Sequence, residues 1–153
     1  MRIRALVFED DPVIRAHVCQ ILHRRGYEVF AFSEPGLCPL QQAPACQCAG
    51  GQYCGDIVIS DIQMPRMTGL KFLQDQRQKG CQVKHVALMS GAWSEADLAY
   101  ARQMGCHTFR KPFSSEEINR WLTACERQID PNRLLSDWFV GQLARAEPEP
   151  PGG

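Results

Sequence analysis

Residues 56–73 read DIVISDIQMPRMTGLKFL, a short apolar run that ends in an acid and is followed by a helical pattern. The first part, DIVIS (56–60), is typical of a buried strand, because its apolar residues are nearly continuous. The pattern of GLKFLQDQRQK (69–79) predicts a helix with one apolar side. Asp61 therefore lies in the loop that leads from the carboxyl end of a strand into a helix.

The same alternation of strand and helix extends in both directions along the chain. Asp11, an acid that can cap a helix, and Gly26, a glycine that can end one, delimit the first helical pattern. Alternating elements of this kind predict an α/β fold, in which helices cover both faces of a parallel sheet. We predict strands at residues 3–8, 27–32, 56–60, 84–90 and 107–110, and helices within residues 10–26, 69–79, 94–105 and 114–129.

The composition limits the function classes that the chain can serve. Its 153 residues are enough for one domain with a buried core, and 17 basic residues balance 17 acidic ones. Zero net charge argues against direct binding of nucleic acid or of an anionic membrane. No apolar run approaches the roughly 20 residues that cross a bilayer, and the N-terminal apolar stretch is too short for a signal peptide. We therefore expect a cytoplasmic protein, whose eight cysteines are thiols or metal ligands rather than a disulfide framework.

Polar side chains follow four of the predicted strands, at the edge where function gathers in parallel sheets. In a doubly wound sheet of strand order 2-1-3-4-5 these four strands are neighbours, so three carboxylates, a hydroxyl and an ammonium group would meet. Clustered carboxylates need a cation among them, and their hard oxygen atoms suit Mg²⁺. A carboxylate can attack a phosphoryl donor, while the metal, the ammonium and the hydroxyl neutralise charge on the transferring oxygens. The residues of this predicted phosphoryl-acceptor site are Glu9, Asp10, Asp61, Ser90 and Lys111.

Four motifs, taken in this order, resemble the receiver domain of bacterial two-component response regulators over roughly residues 3–129. The resemblance implies a flavodoxin-like, doubly wound sheet of five parallel strands in the order 2-1-3-4-5. It also implies that an aspartate accepts a phosphoryl group from a histidine kinase or phosphotransfer protein, and that the phosphorylated surface then recruits a downstream signalling protein. The motifs are ALVFEDDPVIR (5–15), DIVISDIQMPRMTGLKFL (56–73), ALMSG (87–91) and FRKPFS (109–114).

The resemblance assigns a role to each residue of the predicted site. Asp61 would be the phospho-acceptor, and it would bind Mg²⁺ directly together with Asp10, whereas Glu9 would act largely through water. The backbone carbonyl of Gln63 would complete the protein ligands of the ion. Lys111 would pair with the phosphoryl group.

Further matches concern the conformational switch of the family. Ser90 takes the place of a switch threonine or serine, and Gly91 keeps the small residue that leaves room for phosphate. The Lys111–Pro112 bond is expected to be cis. One position departs from the pattern, because Thr108 stands where many receivers have tyrosine or phenylalanine. This departure puts the aromatic half of the usual switch in question.

The segment after the second strand is another departure, since receivers hold an amphipathic helix there. Residues 38–54 read CPLQQAPACQCAGGQYC, with cysteines spaced C-x7-C-x-C-x5-C. Zinc sites usually contain cysteine pairs separated by about two to four residues, so this spacing leaves metal binding, redox disulfide chemistry and free thiols open. Zinc is the metal that we expect, although an iron–sulfur cluster uses the same ligands. The candidate ligands are Cys38, Cys46, Cys48 and Cys54, with Cys81 or Cys106 as substitutes and His85 or His107 nearby.

We expect the chain to divide into a receiver domain over residues 1–129, with the cysteine-rich insert at 38–54, and a tail over residues 130–153. The tail is too short for an output domain, so a stand-alone receiver is expected. Its composition predicts a disordered end. A short extra helix before that end is predicted by the spacing of Leu134, Leu135, Trp138, Phe139 and Leu143.

Two other functions are compatible with parts of this pattern. A small Mg²⁺-dependent phosphatase on a similar sheet would share the aspartate nucleophile, but it usually needs a second acid two residues later, where this chain has Gln63. A redox- or metal-responsive interaction module with a vestigial phosphorylation site would explain the cysteines, but not the complete acidic and basic set. We therefore expect a receiver that catalyses only its own phosphoryl transfer and the hydrolysis of its acyl phosphate, and that is not a turnover enzyme.

Overall fold

The structure is a computed structural model and describes residues 1–138 and 140–142. Strands and helices alternate through residues 4–126, and each predicted element is present with ends that differ by at most three residues. The strands are β1 (Arg4–Phe8), β2 (Glu28–Phe32), β3 (Ile57–Asp61), β4 (His85–Ser90) and β5 (His107–Arg110). The helices are α1 (Pro12–Arg24), α2 (Pro39–Gln42), α3 (Gly69–Gln78), α4 (Glu95–Gln103) and α5 (Ser115–Glu126).

The strands form one parallel sheet in the order β2-β1-β3-β4-β5. Their register places Phe8 beside Ser60 and Asp61 beside Met89. The predicted doubly wound, flavodoxin-like α/β fold is therefore confirmed. Because all strands are parallel, the loops that follow β1, β3, β4 and β5 open on one edge of the sheet.

Alternate strand residues build two apolar cores, one on each face of the sheet. The first core contains Val7 and Ile59 of the sheet and is covered by α1 and α5. The second core contains Leu6 and Val58 and is covered by α3, α4 and the cysteine-rich segment. Burial on both faces explains why these strands read as nearly continuous apolar runs.

The loop from β1 into α1 is short because the helix is capped at once. The Asp11 carboxylate accepts a hydrogen bond from the Val13 backbone N–H at 2.8 Å, which satisfies a donor of the first helical turn. Gly26 follows the other end of α1 with a φ of +79°, a backbone conformation that favours glycine. This cap holds Glu9 and Asp10 at the edge of the sheet.

The segment between β2 and β3 contains little regular structure, as its lack of helical period predicts. Its helix, α2, is a single turn of four residues, and 3₁₀ turns occupy Pro35–Leu37 and Gln47–Gly50. The amphipathic helix that the resemblance implies at this place is therefore reduced to one turn. The remainder of the segment packs its cysteines into the second core.

The end of the described chain lies against this segment. Leu135 forms a β-bridge with Tyr53, and residues 138 and 140–142 have helical backbone where we predict a short extra helix. Phe139 and Leu143, which we also assign to that helix, and the predicted disordered end lie outside the described residues. Among the residues that the structure describes, no helix is long and apolar enough to cross a membrane.

Candidate functional site

The carboxylates of Glu9, Asp10 and Asp61 converge at the carboxyl edge of the sheet. One oxygen atom of each lies within 4.8 Å of the others, so the structure brings together the acids that follow β1 and end β3. Glu9 is fully buried and Asp61 is nearly so, whereas Asp10 is exposed and leaves the group accessible from solvent. Three hard oxygen donors around one point, with room for water on one side, fit Mg²⁺.

Lys111 joins the three acids from the loop after β5. Its Nζ lies 2.7 Å from Oε2 of Glu9 and 3.2 Å from Oδ2 of Asp61. Burial would lower the pKa of Lys111, but the hydrogen bond to Glu9 and the charge of Asp61 raise it overall. Lys111 is therefore an ammonium ion at neutral pH, and its single charge cannot balance three carboxylates.

The buried position of Glu9 changes the pKa of its carboxyl group. Burial raises the pKa of Glu9 to about 7, and the neighbouring Asp61 carboxylate adds to this effect. The hydrogen bonds that Glu9 accepts from Lys111 and from the Asp11 backbone N–H oppose it. Removal of the Glu9 carboxylate from water is the main physical reason for the raised pKa, and a bound cation would oppose it.

Ser90 ends β4 beside this group and is almost fully buried. Its Oγ accepts the backbone N–H of Ala92 at 3.1 Å, so its hydroxyl hydrogen can turn toward another acceptor. A Cβ added to Gly91 would meet no described heavy atom within 4 Å, so there is open space beside Ser90. The Lys111–Pro112 peptide bond is cis, as predicted.

Two residues that follow β3, Gln63 and Gly69, lie against Asp61. The resemblance points to Gln63, whereas no sequence pattern predicts the contact of Gly69. Gln63, whose carbonyl we predict as a Mg²⁺ ligand, is exposed, and its backbone N–H donates to Oδ1 of Asp61 at 3.3 Å.

Gly69 forms a close contact with the end of β3. Its backbone N–H donates to Ile62 O at 2.9 Å. A Cβ at Gly69 would lie 2.3 Å from Asp61 O and 2.7 Å from Ser60 Oγ. The signal that could have revealed this contact is a glycine directly after the helix cap Thr68.

Thr108 occupies the position where the family pattern often has an aromatic residue. Thr108 is half-buried in β5, opposite Leu88, and Phe109 after it is buried in the core. Trp93, in the loop after β4, donates its indole N–H to Phe109 O at 3.0 Å. The loop after β4 is thereby joined to β5 by a side chain that the sequence analysis did not assign to the site.

Four cysteines form a second cluster, near the amino ends of β3 and β4. One Sγ atom from each lies within 4.8 Å of the other three, and the pairs Cys48–Cys54 and Cys54–Cys81 are each separated by 3.7 Å. The cluster combines the loop before β3 with the turn between α3 and β4. Its members are Cys46, Cys48, Cys54 and Cys81.

The prediction that Cys38 belongs to this cluster is wrong, because Cys81 takes the fourth position. Cys38 precedes α2 and is fully buried in the apolar core, where burial raises the pKa of its thiol to about 12. The backbone N–H of Cys46 donates to Lys79 O at 2.8 Å, which brings the cysteine-rich loop to the turn that carries Cys81. Cys106, the other substitute that we named, is buried outside the cluster.

Neither histidine that we placed near the cysteines is a member of the cluster. His107 stacks on Trp121 at a ring-centroid distance of 5.7 Å, on the opposite face of the sheet from the cysteines. His85 begins β4, and burial lowers its pKa. The cluster therefore offers sulfur ligands alone.

Residues 5–123 match the family model of the response regulator receiver domain. The matched range contains every acid and base of the site described above, together with the four clustered cysteines.

Curated relatives share moderate identity with this chain. A probable transcriptional regulatory protein of Picosynechococcus sp. is 32% identical over 116 residues, which are 75% of this chain and 45% of that protein. The transcriptional activator protein PfeR of Pseudomonas aeruginosa is 31% identical over 132 residues, 86% of this chain and 40% of that protein. The chain thus spans less than half the length of these two relatives. It is also 27% identical to the chemotaxis protein CheY of Bacillus subtilis, over 75% of this chain and 90% of that protein.

Solved structures show the same fold. The chemotaxis protein CheY4 of Vibrio cholerae superposes with a TM-score of 0.64 at 24% identity, over 82% of this chain and 99% of the other. A response regulator receiver domain from Clostridium thermocellum gives a TM-score of 0.66 at 21% identity, over 82% and 95% of the two chains. At these identities the likeness concerns the fold alone.

Proposed function

Because the chain belongs to the family of response regulator receiver domains, we propose that Asp61 accepts a phosphoryl group from a histidine kinase or phosphotransfer protein in a Mg²⁺-dependent reaction. The phosphorylated surface then signals to a downstream protein. The observation that carries this proposal is the position of Lys111 Nζ, 3.2 Å from Oδ2 of Asp61, with the Glu9 and Asp10 carboxylates beside them. A nucleophile, cation ligands and a fixed positive charge lie within one small region.

In this proposal a carboxylate oxygen of Asp61 attacks the phosphorus of the donor. An oxygen–phosphorus bond forms, the bond from phosphorus to the donor nitrogen breaks, and the nitrogen keeps the electron pair and takes a proton. The product is an acyl phosphate. Glu9, Asp10, Asp61 and the Gln63 carbonyl would hold Mg²⁺, whose positive charge would lower the repulsion between the carboxylates and the incoming phosphoryl oxygens.

Lys111 and Ser90 would act on the phosphoryl group after it arrives. The Lys111 ammonium is already held at 2.7 Å by Glu9, so it can turn toward a phosphoryl oxygen on Asp61 with little reorganisation. The Ser90 hydroxyl can donate to another of these oxygens, because its Oγ uses only a lone pair for the Ala92 N–H. Movement of Ser90 toward the phosphoryl group would shift the loop after β4, and this shift is the signal that we propose.

The proposed chemistry is confined to the phosphoryl group on the chain's own Asp61. The chain would catalyse its own phosphoryl transfer and the hydrolysis of its acyl phosphate, without acting as a turnover enzyme on other substrates. No acidic side chain stands two residues after Asp61, where a phosphatase of this general type usually has its proton donor, and the residue at that place is the exposed Gln63. This residue supports the receiver over the phosphatase.

An experiment with a small-molecule phosphodonor tests the proposal directly. The protein is incubated with acetyl phosphate and Mg²⁺ and its intact mass is measured, next to an Asp61→Asn variant and an Asp97→Asn control in the first turn of α4. We expect one phosphoryl adduct in the wild-type protein and in the control, which is lost without Mg²⁺ and in Asp61→Asn. A folded, Mg²⁺-saturated wild-type protein without an adduct would overturn the proposal.

The cysteine cluster favours a second candidate function. Four thiols within 4.8 Å of one another suit a redox- or metal-responsive module in which the phosphorylation site is vestigial. The complete set of carboxylates with Lys111 in contact argues against a vestigial site. The phosphodonor experiment separates the two functions, because a vestigial site would give no adduct.

A further inference from the structure

We propose that Cys46, Cys48, Cys54 and Cys81 bind one Zn²⁺ ion, which stabilises the segment between β2 and β3 and the chain end that packs on it. This site is independent of the phosphoryl-acceptor site and adds a structural metal to the proposed function.

The spacing of the four sulfurs matches ligands that share one tetrahedral ion. A tetrahedral ion with metal–sulfur bonds of about 2.3 Å separates its sulfurs by about 3.8 Å. The Cys48–Cys54 and Cys54–Cys81 pairs are separated by 3.7 Å, and no pair exceeds 4.8 Å. Bonded disulfide sulfurs are only about 2.05 Å apart, and neither measured pair is near that value. In iron–sulfur clusters of two or four irons the four thiolates are divided among those irons, so the four sulfurs spread more widely than ligands of one ion.

The surroundings of the cluster suit a closed structural site. Cys46, Cys48 and Cys54 are each less than 5% exposed, and Cys81 is half-buried. The backbone N–H of Cys54 points to Cys48 Sγ at 3.5 Å, a contact that stabilises negative charge on a sulfur ligand and orients it. Four soft sulfur ligands without a water position favour tetrahedral Zn²⁺ in a structural role.

The position of the cluster shows what an ion there would hold together. The regular structure of residues 46–54 is limited to a 3₁₀ turn and the isolated β-bridge of Tyr53, so few repeated backbone hydrogen bonds fix them. The Cys46 N–H donates to Lys79 O on one side, and the Tyr53 N–H donates to Leu134 O at 2.8 Å on the other. The free energy of binding the ion would therefore stabilise the loop, the turn that carries Cys81 and the chain end together.

A buried arginine extends this support to the sheet. Arg4 of β1 is fully buried, and its Nη1 donates to Cys54 O at 3.2 Å and to Ser136 O at 2.8 Å. A displaced cysteine loop would leave this guanidinium without its acceptor at Cys54 O. The chain end around Ser136 would then lose a contact as well, because its N–H donates to Tyr53 O.

The zinc site and the phosphoryl-acceptor site lie at opposite ends of β3. Cys54 precedes this strand and Asp61 ends it, and five strand residues span at least about 13 Å. An ion at the cysteines cannot contact the phosphoryl group. Zinc content and phosphorylation can therefore fail separately, and each test reports on its own site.

The experiment measures metal content in matched alanine variants. Full-length protein is produced without chelator under reducing conditions, and zinc and iron are measured by mass spectrometry of the elements. Cys48→Ala and Cys81→Ala remove cluster members, whereas Cys38→Ala and Cys106→Ala remove buried cysteines outside the cluster. We expect one zinc per chain in the wild-type protein and both controls, and loss of that zinc in both cluster variants.

A measurement on the wild-type protein covers the case in which the cluster variants do not fold. Replacement of zinc by Co²⁺ should give the intense thiolate charge-transfer and visible absorption bands of a tetrahedral sulfur site, and added Zn²⁺ should abolish them. Zinc-free protein whose thiols all react with an alkylating agent would overturn the proposal. So would stoichiometric iron, or a mass lower by the two hydrogens of a disulfide.

Discussion

Gly69 and Asp61 are in backbone contact, so close that a Cβ on Gly69 would lie 2.3 Å from the carbonyl oxygen of Asp61. The contact sets the first turn of α3 directly against the end of β3. The Gly69 N–H donates to Ile62 O at 2.9 Å and fixes the loop between these two elements. The position of the proposed phospho-acceptor therefore depends on a residue that carries no side chain.

A substitution at this contact should move the site. Gly69→Ala forces Asp61 and Ser60 away from the new methyl group, so we expect the free energy of unfolding to fall by about 2 kcal/mol. We also expect phosphorylation by acetyl phosphate to slow, because the Asp61 carboxylate shifts relative to Lys111. Urea unfolding and the rate of adduct formation measure the two effects.

Gly36→Ala is the matched control, because a Cβ there would meet no described heavy atom within 4 Å. Its stability should stay within about 0.5 kcal/mol of the wild-type value. If both alanine variants were equally stable, the close contact between Gly69 and Asp61 would not limit the structure as we describe.

We expect Lys111 to lower the affinity for Mg²⁺ and to raise the rate of phosphoryl transfer. Lys111→Met removes the ammonium that lies 2.7 Å from Glu9 and 3.2 Å from Asp61, so less positive charge competes with the ion. We expect tighter Mg²⁺ binding by titration calorimetry at pH 8. The rate of phosphorylation should fall by at least about 100-fold, because a charge that stabilises the transferring oxygens is lost.

Lys84→Met changes an exposed lysine that precedes β4 and should alter neither quantity. Weaker Mg²⁺ binding in Lys111→Met than in this control would contradict the charge balance that we derive for the site.

The sequence was sufficient for the fold because its signals are local and repeated. The strands are buried on both faces and read as apolar runs, and caps such as Asp11 mark where helices begin. Parallel order then brings residues from distant parts of the chain to one edge, which is why Asp61 and Lys111 could be predicted as neighbours. The site follows from topology more than from any single residue.

The membership of the cysteine cluster and the Gly69 contact depend on packing that no periodic sequence pattern predicts. Cys81 replaces Cys38 in the cluster because the aperiodic loop attaches to the α3–β4 turn through the Cys46 N–H and Lys79 O. The Gly69 contact is likewise a distance between two backbones, which side-chain patterns do not record. Such contacts become visible only when both partners are placed in three dimensions.

A hydrogen-bond network between the residues that follow α1 and the end of α5 should make the free energy of unfolding depend on pH. Glu126 accepts hydrogen bonds from Tyr27 and Arg25, whose guanidinium lies 2.8 Å away. Burial raises the pKa of Glu126, but these two partners lower it below its ordinary value of 4.5 overall. An acid whose pKa is lower in the folded state than in the unfolded state stabilises the fold at a pH above its unfolded-state pKa. This contribution is lost as the pH falls through the folded-state pKa.

Glu126→Gln should therefore lower the free energy of unfolding at pH 7 by about 0.5 to 1 kcal/mol, a small value because 34% of the side chain is exposed and solvent screens the pair. The difference from the wild-type protein should shrink below pH 4.5, as urea unfolding at several pH values would show. Glu116→Gln, on the same helix but 82% exposed, is the control. A difference that stayed constant down to pH 3 would exclude a charge effect.

Arg133 holds the chain end on the sheet through a buried ion pair with Asp56. Its Nε lies 2.5 Å from Oδ1 and its Nη2 lies 2.6 Å from Oδ2 of Asp56, and both side chains are less than 10% exposed. Arg133→Gln leaves a buried carboxylate with one remaining donor, the Arg4 backbone N–H, and should destabilise the fold by about 3 kcal/mol.

The loss of stability in Arg133→Gln should be greatest where the chain end meets the cysteine-rich segment. The amide of Ser136, which donates to Tyr53 O, should exchange with deuterium faster in Arg133→Gln, while amides of the central strand β3 should keep their protection relative to global unfolding. Arg120→Gln, at an exposed pair on α5, should leave the Ser136 amide unchanged. Equal exchange of Ser136 in both variants would mean that the cysteine-rich segment and Arg4 hold the chain end without Arg133.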